Sequence, residues 1–194
     1  MAFVGTLGTL LATYALYEAG FSDGLLTVAS NLLFVGVGLA AVHFLGKGAL
    51  RASFARQPDE HGILLGLLAI PLCLAVNLTY VALLGSSDAS VESTPDSPLF
   101  LILTIAVMPA LIEEWLDRGV IWTACMRATT EGRTILLTAG LFALSHGLNG
   151  GVIYELPHRF IMGLILGWLR ARTGSLLPGM LAHFGNNLVA VTLL

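Results

Sequence analysis

The chain has 194 residues, of which 56% are hydrophobic and 11% are charged, whereas soluble domains carry roughly 25% charged residues. This balance excludes an ordinary soluble protein and predicts a single integral-membrane domain over residues 1–194. The net charge is −3 with only nine lysines and arginines, so the chain has no basic patch of the kind that binds nucleic acid.

Seven apolar segments follow one another, and each is a candidate spanning helix because a span needs about 20 predominantly apolar residues. They are Ala2–Tyr17, Leu25–Leu45, Ile63–Leu84, Leu99–Met126, Thr134–His146, Phe160–Leu169 and Leu176–Leu194. The fifth and sixth segments are short, so the predicted fold is an all-α transmembrane bundle of about seven spans, with six or eight as alternatives. Residues 99–194 carry the polar motifs, and residues 1–98 are predicted to supply accessory spanning helices.

Basic residues concentrate in alternate loops, which the positive-inside rule assigns to the cytoplasm. Seven of the nine lie in the second, fourth and sixth loops: Lys47, Arg51, Arg56, Arg127, Arg133, Arg170 and Arg172. Arg159 falls on the opposite side, and the stretch Gly85–Pro98 is predicted to be an external loop. The N-terminus is therefore predicted to be cytoplasmic.

The fourth segment is interrupted by the charged residues Glu113, Glu114, Asp117 and Arg118. A charged side chain near a helix centre costs about 2.5–3.5 kcal/mol on insertion scales, so these groups are predicted to face a protein interior or a wet cavity. Glu114 and Arg118 have the i,i+4 spacing of a helical ion pair. Glu113 is offset from Glu114 by about 100° of helix rotation and must face something else. It is a candidate general base, although a buried ion-pair network that holds helices together is an alternative.

Polar side chains of two later segments are predicted to reach the depth of Glu113. At 1.5 Å of rise per residue, Glu113, His146 and Asn187 each lie about 20 Å from the inner surface, and His183 lies about 16 Å from it. His183 and Asn187 share a helix face at i,i+4 and offer hydrogen-bond donors for a developing oxyanion. Taken alone, either histidine could equally be a hydrogen-bonded residue between packed helices.

These motifs, in this order, resemble those of the CPBP family of intramembrane proteases, the CAAX-processing and bacteriocin-processing enzymes also called the Abi family. Residues 113–118 fit EExxxR, residues 142–146 fit FxxxH, and residues 183–187 fit HxxxN. The resemblance covers about Pro109–Val189. One position departs from the pattern, because Asp117 stands where family members usually carry an aromatic or apolar residue.

The resemblance implies a multi-pass protein of a prokaryotic cytoplasmic membrane that hydrolyses a peptide bond in a membrane-protein or lipidated-peptide substrate. It implies that Glu113 activates the attacking water with the help of His146. His183 and Asn187 would stabilise the oxyanion, while Glu114 and Arg118 would hold the site in place. CAAX tails, bacteriocin leaders and C-terminal sorting tags are all compatible substrates.

A zinc mechanism is the main alternative for the chemistry. Glu113, His146 and His183 could form a site of two histidines and one carboxylate with an open water position. The chain has no HExxH motif, and a glutamate-type mechanism without a cofactor is the favoured hypothesis.

Two other functions use the same residues without proteolysis. A non-catalytic membrane scaffold or immunity factor would need the polar layer only to join helices. A proton-coupled transporter would use Glu113 and Asp117 as relay groups, although the sequence lacks the two similar halves typical of many transporters.

Overall fold

A computed structural model describes residues 18–21, 23–46, 48–54, 56–84, 97–149 and 156–192, together with residues 8, 11–12 and 15–16. Within these ranges all of the extended regular elements are helices, which confirms the predicted all-α class. They are α1 (Asp23–Leu45), α2 (Ala49–Ser53), α3 (Glu60–Leu84), α4 (Pro98–Met126), α5 (Glu131–Asn149), α6 (Leu156–Thr173) and α7 (Leu177–Thr192). The predicted span Ala2–Tyr17, the basic residue Lys47 and the predicted loop Gly85–Pro98 lie wholly or largely outside the described residues.

Among the residues that the structure describes, three helices are long and apolar enough to cross a membrane: Leu25–Leu45, Glu60–Leu83 and Pro98–Met126. Their outer faces carry large hydrophobic side chains, such as Leu32 with 61% of its surface exposed and Leu68 with 59%. An outer surface of this kind matches lipid rather than water. The chain is therefore an integral membrane protein, while the count of seven spans and the cytoplasmic N-terminus stay predictions.

The two segments that looked short in the sequence are full-length helices. α5 has 19 residues and α6 has 18, so both extend beyond the apolar runs Thr134–His146 and Phe160–Leu169 that predicted them. The extra turns hold charged side chains, including Glu131 in the first turn of α5 and Arg170 and Arg172 in the last turn of α6. The boundaries set by apolar runs were too narrow because charged residues at helix ends interact favourably with the helix dipole.

α4 is one continuous helix with two π-helical segments, Ile102–Val107 and Trp115–Ile121. Pro109 lies just after the first π segment and has no N–H, so it cannot donate to the carbonyl of Ile105, four residues earlier. The second π segment contains the Asp117–Arg118 part of the acidic motif. Such widened turns occur frequently at functional sites.

Glycines bring neighbouring helices close together around the site. A Cβ on Gly163 of α6 would lie 2.8 Å from the Cα of Ala139 in α5, so only glycine permits this approach. A Cβ on Gly66 of α3 would lie 2.7 Å from the carbonyl oxygen of Pro178 at the start of α7. These contacts hold α5 against α6, and α3 against the start of α7.

Candidate active site

The two adjacent glutamates of α4 face different parts of the bundle, as their 100° offset predicts. Glu114 is 1% exposed and lies inside the helix packing. Its Oε1 accepts a hydrogen bond from Arg118 Nη1 at 3.0 Å, and it lies 3.2 Å from His183 Nδ1 of α7. The predicted i,i+4 ion pair is therefore present, and it extends to a histidine of another helix.

Arg118 connects α4 to both α5 and α6. Its side chain is 1% exposed, and Nη2 donates to the carbonyl oxygen of Gly163 at 3.1 Å. The guanidinium also lies over the ring of Phe142 in α5, with Cζ 4.6 Å from the ring centroid. Asp117 Oδ2 lies 3.6 Å from Nη1, which gives the buried guanidinium a second carboxylate neighbour.

Phe142 contacts the rings of both histidines of the site, which explains its place in the FxxxH motif. Its centroid lies 4.5 Å from that of His146 and 5.8 Å from that of His183, and the latter pair is edge-on. Phe142 is 1% exposed, so its ring is held on all sides. A single aromatic residue therefore orients one cation and two imidazoles.

Both histidines use Nδ1 for structural contacts and turn Nε2 toward Glu113. His146 Nδ1 lies 2.9 Å from the carbonyl oxygen of Phe142, and His183 Nδ1 lies 3.2 Å from Glu114 Oε1. Since each of these oxygens only accepts, Nδ1 carries the proton and Nε2 of a neutral ring carries a lone pair. The distances from Glu113 Oε2 to Nε2 are 3.6 Å for His146 and 3.9 Å for His183.

A cavity of about 290 Å³ opens at this point, and Glu113, His146, His183 and Asn187 contribute to its wall. Glu113 Oε2 is buried and receives no hydrogen bond from the described residues. Glu114 and Arg118 lie behind this wall and hold its residues in place. The structure thus brings all six predicted site residues together.

Sequence reasoning missed four polar residues of the cavity wall: Thr27 of α1, Asn77 of α3, Arg159 of α6 and Asn186 of α7. The positive charge of Arg159 acts on the Glu113 carboxylate. The sequence did mark Arg159 as unusual, because it was the basic residue that broke the alternation of loop charges. Asn77 was marked less clearly, as a lone amide within an apolar span.

The same side chains include the three candidate zinc ligands, Glu113, His146 and His183. Among the described residues, no group of three or more His, Cys, Asp or Glu side chains is arranged to hold a metal ion. Glu113 Oε2 lies 3.6 Å and 3.9 Å from the Nε2 atoms of His146 and His183, but these three side chains are not among such groups. Zinc stays an untested alternative for this site.

The sequence motifs and this geometry can be compared with known proteins. Residues 95–189 match the family model described as Rce1-like, type II CAAX prenyl endopeptidase. The resemblance to the CAAX protease family is confirmed. This family indicates a protease, that is, a peptide hydrolase, and the apolar helices place it in a membrane. No curated protein and no solved structure matches the chain.

Proposed function

We propose that the chain is an intramembrane endopeptidase in which Glu113 activates the attacking water. The observation that carries this proposal is the convergence of Glu113 Oε2 and two imidazole Nε2 atoms in one cavity. Glu113 Oε2 and the Nε2 atom of a neutral His146 are both acceptors, and their separation of 3.6 Å is too long for a direct hydrogen bond. A water molecule that donates one hydrogen to Glu113 and one to His146 satisfies both acceptors.

Hydrolysis then follows from these positions. The water oxygen attacks the carbonyl carbon of the scissile peptide while Glu113 takes its proton. The carbonyl becomes a tetrahedral oxyanion, which accepts hydrogen bonds from Asn187 and from Nε2–H of a protonated His183. Glu113 next passes the proton to the leaving nitrogen, and the carbon–nitrogen bond breaks.

Charge balance supports one bound proton within the cluster. The cluster has three carboxyl groups, Glu113, Glu114 and Asp117, and two guanidinium groups, Arg118 and Arg159. When all five are ionised, one negative charge is in excess, and an uncompensated charge is costly to bury. One proton on a carboxyl group or on the imidazole beside Glu114 removes the excess, and the proposed oxyanion contact uses the form with the proton on the imidazole.

The proposed substrate is a membrane-anchored or lipidated peptide tail that reaches the cavity from the lipid bilayer. The matching family, described as a type II CAAX prenyl endopeptidase, favours a prenylated C-terminal tail. The apolar outer faces of the helices are compatible with a substrate that arrives through lipid. No nucleic-acid partner is proposed.

The test uses the purified full-length protein in liposomes and a panel of C-terminal tail peptides with and without a farnesyl group. Glu113→Gln keeps the shape of the side chain and removes the base, and we expect it to abolish measurable cleavage. Glu131→Gln, an exposed carboxylate at the start of α5, is the matched control and should cleave like the wild type. Cleavage by Glu113→Gln at the wild-type rate contradicts the proposal.

The same preparation separates the alternatives. A scaffold or immunity factor keeps its cellular function in Glu113→Gln, and a transporter shows proton flux without proteolysis. Cleavage that survives a strong chelator supports the metal-free mechanism. Cleavage that is lost with the chelator and restored by zinc supports the zinc mechanism.

A further inference from the structure

A chain of side-chain amides joins α3 to Asn187, the proposed oxyanion donor. Asn77 Nδ2 donates to Asn186 Oδ1 at 2.7 Å, and Asn186 Nδ2 donates to Asn187 Oδ1 at 3.2 Å. Asn187 Nδ2 in turn donates to the carbonyl oxygen of Ile105 at 3.1 Å. All four residues contribute to the wall of the cavity that contains Glu113.

The three amides of Asn77, Asn186 and Asn187 form an amide relay that ends at the carbonyl oxygen of Ile105. This last acceptor is available for a reason visible in the sequence. Pro109 has no N–H to donate to the carbonyl of Ile105, as an α-helix would require at that position. The Ile105 oxygen therefore has a lone pair for the Asn187 amide. One Nδ2 hydrogen of Asn187 is used in this bond, and the second is left for a group in the cavity.

The relay has a fixed direction. Each amide oxygen accepts from the preceding amide, so each NH₂ group must point toward the next residue. If Asn187 were turned over, its oxygen would face the Ile105 carbonyl and its NH₂ would face the Asn186 NH₂, and both contacts would be repulsive. The orientation of the Asn187 amide is thus set by the Ile105 carbonyl on one side and, through Asn186, by the donor at Asn77 on the other.

We propose that Asn77 is a positioning residue that keeps the NH₂ group of Asn187 directed at the oxyanion. This inference rests on the proposed function. It assigns a role in the reaction to a residue outside the matched range 95–189. The competing explanation is that Asn77 only ties α3 to α7 through its contact with Asn186.

The first measurement is cleavage of the tail peptides by Asn77→Leu, which keeps the side-chain size and removes the donor. We expect kcat to fall about tenfold, the equivalent of one ordinary hydrogen bond, with KM unchanged. Asn77→Gln, which retains an amide donor, should recover part of the loss. Asn31→Leu is the matched control, because Asn31 is a buried amide whose hydrogen bond among the described residues lies within α1, to Thr27 O at 2.9 Å.

A double-mutant cycle separates positioning from simple helix tying. In an Asn187→Ala background the amide to be oriented is gone, so Asn77→Leu should cause no further loss of kcat. An equal tenfold loss in both backgrounds overturns the proposal. Wild-type kcat in Asn77→Leu, or the same loss in Asn31→Leu, overturns it as well.

A second double-mutant cycle does not depend on cleavage, because it measures the Tm of thermal unfolding for the same variants. Asn77 and Asn187 are linked only through Asn186 in the relay, so a coupled effect of their substitutions on Tm supports the relay. Additive losses of Tm overturn it. If the wild type cleaves none of the peptides while the Tm values are coupled, the proposed function fails and the relay stands.

Discussion

Replacing Gly179 by alanine tests whether close helix packing positions the Glu114 carboxylate. A Cβ at this position of α7 would lie 2.9 Å from Glu114 Oε2 and 3.7 Å from its Cδ. Real Cβ atoms essentially never approach a heavy atom below 3.0 Å, so the carboxylate has to move. It cannot do so freely, because its other oxygen is bonded to Arg118 and His183.

Two opposing contributions set the expected change in stability. Overpacking a filled interior costs about 1–3 kcal/mol, whereas alanine is favoured over glycine inside a helix by about 1 kcal/mol. We therefore expect Gly179→Ala to lower the free energy of unfolding by about 0–2 kcal/mol. The effect on the reaction should be larger, because a hydrogen bond to a charged group contributes about 1.5–3 kcal/mol. Loss of one such bond predicts at least a tenfold decrease in kcat.

The assay combines thermal unfolding in detergent with cleavage of the tail peptides. Gly140→Ala in α5 is the control, since a Cβ there meets no atom within 4 Å. Because alanine has a higher helix propensity than glycine, Gly140→Ala should raise Tm by about 2–4 °C for a chain of this size. If Gly179→Ala raises Tm as much as Gly140→Ala and leaves kcat unchanged, the reasoning is refuted.

Two further substitutions test the groups behind the cavity. Arg118→Lys keeps the charge but cannot reproduce the forked guanidinium that binds both Glu114 and Gly163. We therefore expect at least a tenfold loss of kcat and a lower Tm. Wild-type values of both would contradict the role given to Arg118. Phe142→Ala removes the ring between Arg118 and the two histidines, and should lower the free energy of unfolding by about 3–5 kcal/mol in a denaturant titration. A cost below about 1 kcal/mol would show that this ring is not part of a tightly packed core.

The convergence of the motif residues was predictable because it depends on regular helix geometry. The 100° step between Glu113 and Glu114 separates their directions in any helix. The 1.5 Å rise places Glu113, His146 and Asn187 at a common depth, and the structure brings them to one cavity. The π-helical turns of α4 leave the 100° step intact, since Glu113 and Glu114 lie in the α-helical segment between them.

Other parts of the site could not be predicted from spacing. The contact between Asn77 and Asn186 joins residues 109 positions apart, and no pattern in the sequence links two single asparagines at that separation. Arg159 lies in the first turn of α6, just before the apolar run Phe160–Leu169 that predicted this helix. Its position at the cavity therefore depends on how α6 packs in the bundle, which the apolar run does not show. Helix ends were missed because apolar runs report the lipid-facing length of a helix rather than its whole length.

The role of α3 follows from where it touches α7. Gly66 allows the backbone of Pro178 to approach, Gly185 accommodates the side chain of Ile70, and Asn77 binds Asn186 near the other end of the same pair of helices. α7 carries His183 between these contacts and Asn187 directly after the last of them, so α3 fixes both the height and the rotation of the helix that holds these two residues. A helix predicted only as an accessory span therefore determines the geometry of residues that lie in the matched family region.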